Sequence, residues 1–130
     1  MSIFFELPRK LDELKPLRDH LDVFCVNESE EFGTELTLAS FEVVTNIIRH
    51  TPDPLEHSPI GVFLEEDPIE IKVSFEYEGE LFIPPNSLEP DFSGNSDGGF
   101  GLYIIENCVD KIIYDSPKPG LAQLILIKKK

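Results

Sequence analysis

FEVVTNIIRH, residues 41–50, is apolar at Phe41, Val43, Val44, Ile47 and Ile48, yet it carries Glu42, Asn46 and His50 four residues apart. At about 100° per residue on a helix, these three polar groups fall within about 80° of arc, with Arg49 at the edge and Ala39 as the interruption. Leu38 and the five apolar residues, with small Ser40 and Thr45, fill the rest of the wheel, and a helix apolar over most of its circumference is a buried one. The stripe therefore either faces solvent along a narrow slot or lines a cavity. A solvated stripe is usually built from Lys and Glu, whereas Asn and His are mediocre helix formers, so the residue types favour the cavity. Glu can polarise a water or a hydroxyl. Asn offers a neutral oxygen to a hard cation such as Mg²⁺, which takes oxygen ligands and keeps several waters and substrate phosphates.

Upstream, residues 3–7 read as a strand closed by Pro8, and Leu11, Leu14, Leu17, Leu21 and Phe24 recur at helical spacing, with Pro16 in the first turn. Residues 27–33 form an acidic, turn-rich link. Thr34 is the expected cap of a second helix running to His50, and ThrProAspPro at 51–54 stops it. Downstream, residues 51–59 are a loop with three prolines. Residues 60–64 and 69–77 read as strands, the second alternating Ile69, Ile71, Val73, Phe75 and Tyr77 with Glu70, Lys72, Ser74 and Glu76. Glu78 and Gly79 make a turn, and residues 81–83 enter a Pro-rich loop. A third helix is expected from Gly101 through Leu102, Ile105 and Val109, before a hairpin of residues 112–114 and 121–127 around ProLysProGly. This order is α+β: a two-layer sandwich with helices on one face of a mixed, mostly antiparallel sheet. Residues 1–130 read as one domain without internal repeats.

The totals agree with a folded domain. A chain of 130 residues can bury roughly two thirds of the surface its unfolded form exposes. Its 41% hydrophobic and 28% charged residues lie near globular norms. With 11 Lys and Arg against 25 Asp and Glu, the net charge of -14 argues against a nucleic-acid partner, whose phosphates are gripped by clustered cations. Lys128, Lys129 and Lys130 read as a solubilising tail without a role. Cys25 and Cys108 lie in neither a CxxC nor a His-rich spacing, so they read as two buried thiols in a reducing cytoplasm. The apolar run near the N-terminus is too short for a signal sequence, and no stretch approaches the ~20 apolar residues of a membrane span, so the chain is expected in the cytosol. His20 and His57 are isolated and read as surface residues.

AspGlyGlyPheGlyLeu, residues 97–102, stands before the third helix, where unpaired backbone N–H groups and the positive end of the helix dipole suit an anion. Gly98, Gly99 and Gly101 permit close backbone approach to a phosphate. The spacing matches neither the P-loop, which needs a following GlyLysSer or GlyLysThr, nor a dinucleotide fingerprint, which opens a βαβ unit.

Taken together, the E(x3)N(x3)H stripe and GGFGLYIIENCVD resemble the N-box and second glycine box of the histidine-kinase-like ATP-binding superfamily, whose members share the Bergerat-type sandwich. The chain looks most like the small bacterial anti-sigma factor serine kinases, and the likeness covers nearly its whole length. It implies ATP and Mg²⁺ as cofactors. Glu42 would activate the attacking hydroxyl, Asn46 would bind the metal, His50 would end the nucleotide-binding motif, and Gly98, Gly99, Phe100, Gly101 and Leu102 would hold the phosphates. It also implies a sigma factor and an anti-anti-sigma antagonist as partners, and a homodimer formed through the sheet and first helix.

One position departs from the pattern. The family's first glycine box reads DxGxxF, its Asp accepting a hydrogen bond from the adenine amino group. Here TyrGluGlyGluLeuPhe, residues 77–82, keeps Gly79 and Phe82 but has Tyr77 at the Asp position. A hydrogen bond to a charged group contributes roughly 1.5 to 3 kcal/mol, so its loss would weaken ATP about 10-fold to 150-fold. Glu76 or Glu78 could substitute only through a strand slip or bulge. The leading expectation is a regulatory serine kinase. The alternative is an interaction module that keeps the fold without nucleotide selectivity, and a metal-dependent hydrolase using Glu42 and His50 is a third class, disfavoured because no ligand cluster accompanies them.

Overall fold

Period-two burial builds the sheet. In the computed structural model, which describes residues 1–55, 57–83 and 99–130 (99–102 by backbone alone), five strands lie in the order β1-β2-β3-β5-β4. They are β1 (Ser2–Leu7), β2 (Ile60–Glu66), β3 (Glu70–Glu78), β4 (Lys111–Lys118) and β5 (Leu121–Lys129). Every pairing among them is antiparallel. Ile60, Val62 and Leu64 of β2, Ile71, Val73, Phe75 and Tyr77 of β3, and Ala122, Leu124 and Leu126 of β5 point to one face and are buried. Removing such side chains from water contributes about 1.5 to 3 kcal/mol each, so this face dominates the core.

Three helices, α1 (Lys15–Phe24), α2 (Glu30–His50) and α3 (Gly99–Cys108), complete the element order. The buried face receives Leu17, Leu21 and Phe24 from α1, Leu36, Ala39, Val43, Val44 and Ile47 from α2, and Ile105 from α3. Pro16 falls in the first turn of α1, where its missing N–H costs no helical bond. The α+β architecture expected from the sequence is the one observed.

Several boundaries differ from expectation. α2 begins at Glu30, not after Thr34, because Ser29 is the cap: its Oγ accepts the Phe32 N–H at 3.1 Å. Glu30 and Glu31 then sit at the positive end of the helix dipole, and Arg49 and His50 at the negative end. α3 begins at Gly99, two residues before the expected start, and both hairpin strands run longer than expected. Leu11 is outside α1 and 46% exposed, and Ile69 precedes β3 and is 67% exposed.

The three C-terminal lysines are not a free tail. Strand alternation turns Lys128 to the same face as Leu124 and Leu126, and there its Nζ donates to the Cys108 carbonyl at 2.6 Å and to Glu35 at 2.8 Å. Lys130 Nζ lies 3.5 Å from both Glu28 and Glu66. Lys128 thus joins β5 to the C-terminus of α3, whose dipole favours a cation, and to the first half of α2.

Candidate nucleotide site

The C-terminal half of α2 carries the polar stripe on successive turns, so Glu42, Asn46 and His50 stand about 6 Å apart along the axis. Glu42 and Asn46 are half-buried and His50 is exposed. Hydrogen-bonded helix geometry holds these positions, and the apolar residues between them anchor the helix on the sheet. Thr51 caps the end, with its N–H on the Ile47 carbonyl at 3.1 Å and its hydroxyl on the same carbonyl, and Pro52 follows. α2 packs along α3. Gly99 and Gly101 stand in the first turn of α3 together with the backbones of Phe100 and Leu102, whereas Gly98 lies outside the described residues.

At the His50 end the stripe meets an aromatic cluster. The His50 imidazole stacks on the Phe82 ring, with centroids 4.9 Å apart and planes inclined by 17°. The Phe82 backbone N–H donates to Tyr77 Oη at 3.0 Å. Tyr77 is only 2% exposed, and burial raises its phenol above the ordinary range, against the opposing effects of the Phe82 N–H and Arg9. Gly79 sits just beyond, at φ +125°. Its N–H donates to the Gly120 carbonyl at 2.8 Å, and a Cβ there would come within 3.3 Å of the Pro52 carbonyl, so only glycine suits both backbone and space.

Arg9, which sequence reading did not single out, organises this end. Its side chain is 9% exposed, and its guanidinium lies 5.8 Å from the Tyr77 ring centroid. It donates to the carbonyls of Glu78 at 2.6 Å, Ser58 at 3.2 Å and Thr51 at 3.3 Å. Asp53 faces it at 3.9 Å. The Asp53 carboxyl is held below its usual range by the Ser58 hydroxyl first, then by the Leu55 and Ser58 N–H groups and by Arg9. The chain leaving β1, the end of α2, the 51–59 loop and the end of β3 are therefore tied through one cation. A basic residue between a strand and a helix, next to Lys10, carries no periodic signal, so only the folded arrangement reveals its role.

Glu76 and Glu78 do not replace the missing acidic residue. The pairing of β3 with β5 runs in unbroken register from Glu70↔Lys129 to Glu78↔Leu121, with Tyr77 opposite Ala122. No slip or bulge turns a neighbouring carboxylate to the Tyr77 side. A separate groove of about 560 Å³ lies between α1 and the first half of α2, lined by residues including Asp22, Cys25, Thr37, Leu38 and Phe41. It contains none of Glu42, Asn46 and His50. Among the described residues no group of three or more His, Cys, Asp or Glu could hold a metal ion, and no helix is long and apolar enough to cross a membrane.

A half-buried carboxylate and carboxamide on α2 stand beside an α3 that opens on glycines, in a two-layer sandwich over an antiparallel sheet. The family model of the histidine kinase-like ATPase domain matches residues 7–128, and the chain belongs to that family. Among solved structures it is similar to the crystal structure of the RsbU and RsbW domains of Rv1364c from Mycobacterium tuberculosis. The TM-score is 0.68 at 13% identity, over 98% of this chain and 32% of that one. The likeness is one of fold, and this chain spans about a third of that protein's length. No curated protein matches the chain in sequence.

Proposed function

We propose that the chain is an ATP-binding regulator of the anti-sigma type, which phosphorylates a serine of a small antagonist protein and holds a sigma factor on another surface. The observation that supports this most is the placement of Glu42, Asn46 and His50 on consecutive turns of α2, against a helix whose first turn contains Gly99 and Gly101. These residues fit the phosphate end of a nucleotide. Asn46 presents a neutral oxygen suited to Mg²⁺, which completes its shell with waters and phosphate oxygens. The backbone N–H groups opening α3 and the positive end of its dipole suit phosphate oxygens. Bound ATP would supply the phosphoryl group, and Glu42 is the carboxylate suited to take the proton of the serine hydroxyl. Positioning and metal electrostatics carry most of such a transfer, so the rigid spacing along α2 suits it.

The test is calorimetric titration of ATP and ADP with and without Mg²⁺ into the wild-type chain and Asn46→Ala. The expected result is binding that needs the metal and falls at least 10-fold in the variant. No binding at millimolar nucleotide by the folded protein would sink the proposal. A second reading, a protein-contact switch on the same fold without catalysis, is favoured by Tyr77 at the base end. It would be supported by capture of a sigma factor or antagonist that is indifferent to nucleotide and to Glu42→Gln.

A further inference from the structure

We infer that the groove between α1 and the first half of α2 docks a helix of a protein partner, apolar along one stripe and flanked there by Lys and Arg. The surface is separate from the polar stripe of α2, and the inference does not depend on the nucleotide reading. Every residue lining the groove falls between 18 and 41, on the two helices and their link. From α2 come Gly33, Thr34, Thr37, Leu38 and Phe41, whose three- and four-residue spacing sets them on one face. With Glu30 they run along about 16 Å of the helix, or three turns. On the α1 side Arg18, Asp22 and Cys25 repeat that spacing. Two helical walls with a trough of this length between them match a third helix of about three turns, packed at an interaxial distance of about 8 to 10 Å.

The trough is open and partly apolar. Leu38 is 44% exposed although it lines it, and Phe41 is half-buried. Asp22, Glu30 and Thr34 are exposed too, so one side of the trough is open, which suits the face of a helix better than a small molecule enclosed on most sides. Gly33 forms part of the floor. Glycine inside a helix costs about 1 kcal/mol relative to alanine, and a Cβ there would meet only the Cys25 Cβ, at 3.5 Å, an ordinary contact. The packing of the fold does not require that glycine, and what it leaves is room in the trough. Charge at the rim selects the partner. Asp22, Glu28 and Glu30 stand there against Arg18 alone, and of these carboxylates only Glu28 is paired among the described residues, with Lys130 at 3.5 Å. Asp22 and Glu30 therefore offer acceptors to cations flanking an apolar stripe. The net charge of -14 steers a basic segment toward the trough and repels an acidic one.

The test is an anisotropy titration, without nucleotide, of a fluorescent helical peptide of about 14 residues, roughly four turns, with Leu along one stripe and Lys at its edges. Two controls accompany it: the same composition scrambled so that the stripe is lost, and the same stripe with Glu in place of Lys. The wild type is expected to bind the Lys peptide about 10-fold or more tightly than either control, and Gly33→Leu, which fills the trough, to bind it about 10-fold more weakly at unchanged or higher melting temperature. Leu38→Lys, at an exposed position, should weaken it similarly and carries the test if Gly33→Leu disturbs α2. Equal binding of the scrambled peptide would show general attraction of cations and overturn the inference. So would preference for the Glu peptide, undiminished binding by both folded variants, or no binding of the Lys peptide at about 100 μM, a Kd beyond which roughly 5 kcal/mol of affinity is absent. Each of those results leaves the nucleotide titration standing on its own, because the two measurements report on different surfaces.

Discussion

Cys25 is 8% exposed, beyond the last residue of α1, and burial pushes its thiol to about 11, with Glu28, Asp22 and Glu66 adding to the shift and Lys128 opposing it. A raised thiol pKa means that the protonated form is favoured in the fold. Its contribution to stability is complete below the unfolded value of about 9.0 and is lost as pH rises through about 11. The thiolate is the nucleophile, so Cys25 should be alkylated by iodoacetamide at pH 8 at least 50-fold more slowly in the native chain than in guanidinium. Peptide mapping of the alkylated chain measures this, and equal rates in the two states would contradict the assigned burial. Arg9 shows the opposite case of a buried charge, one whose partners are all supplied. An unpaired buried cation costs several kcal/mol, so those acceptors are what allow it to sit beside Tyr77.

α2 is the element on which the proposed chemistry depends, and its 21 residues are stabilised at both ends. Ser29 supplies the cap, so Ser29→Ala should lower stability to urea by about 1 kcal/mol and release the first turn. The stripe lies three turns further on, so nucleotide affinity should change little. A large loss of affinity at unchanged stability would mean that the N-terminus of α2 itself touches ligand. α3 is tied at its other end by Lys128, whose partner Glu35 has its carboxyl held below the usual range, first by the hydrogen bond from Lys128 and then by its charge. The tie fixes α3 against α2 and therefore the spacing between the stripe and the helix that opens on glycines.

Among the described residues the helices cover one face of the sheet and none lies on the other. Phe4, Phe63, Ser74, Ile125 and Ile113 stand in one row across that face, each opposite the next in register. Phe4 is 58% and Phe63 38% exposed, with ring centroids 6.5 Å apart. This row suits the homodimer that the family likeness implies. Sedimentation should then give a dimer for the wild type and a monomer for Phe63→Asp, and a wild type that stays monomeric across a 100-fold dilution series would rule the homodimer out.

Much of this was legible in one dimension. Alternation along β3 and the mixed wheel of α2 impose a sheet face and a helix face, because side-chain direction follows backbone period directly. The same local spacing set Glu42, Asn46 and His50 on one stripe. Tertiary structure decided the remainder. Ser29 outcompeted Thr34 as the cap, Lys128 turned inward from an apparent tail, Arg9 became a hub, and His50 met Phe82. Those contacts join residues far apart in sequence, and the energy of a buried polar group depends on which partners the fold brings to it. Local periodicity carries no information about those partners.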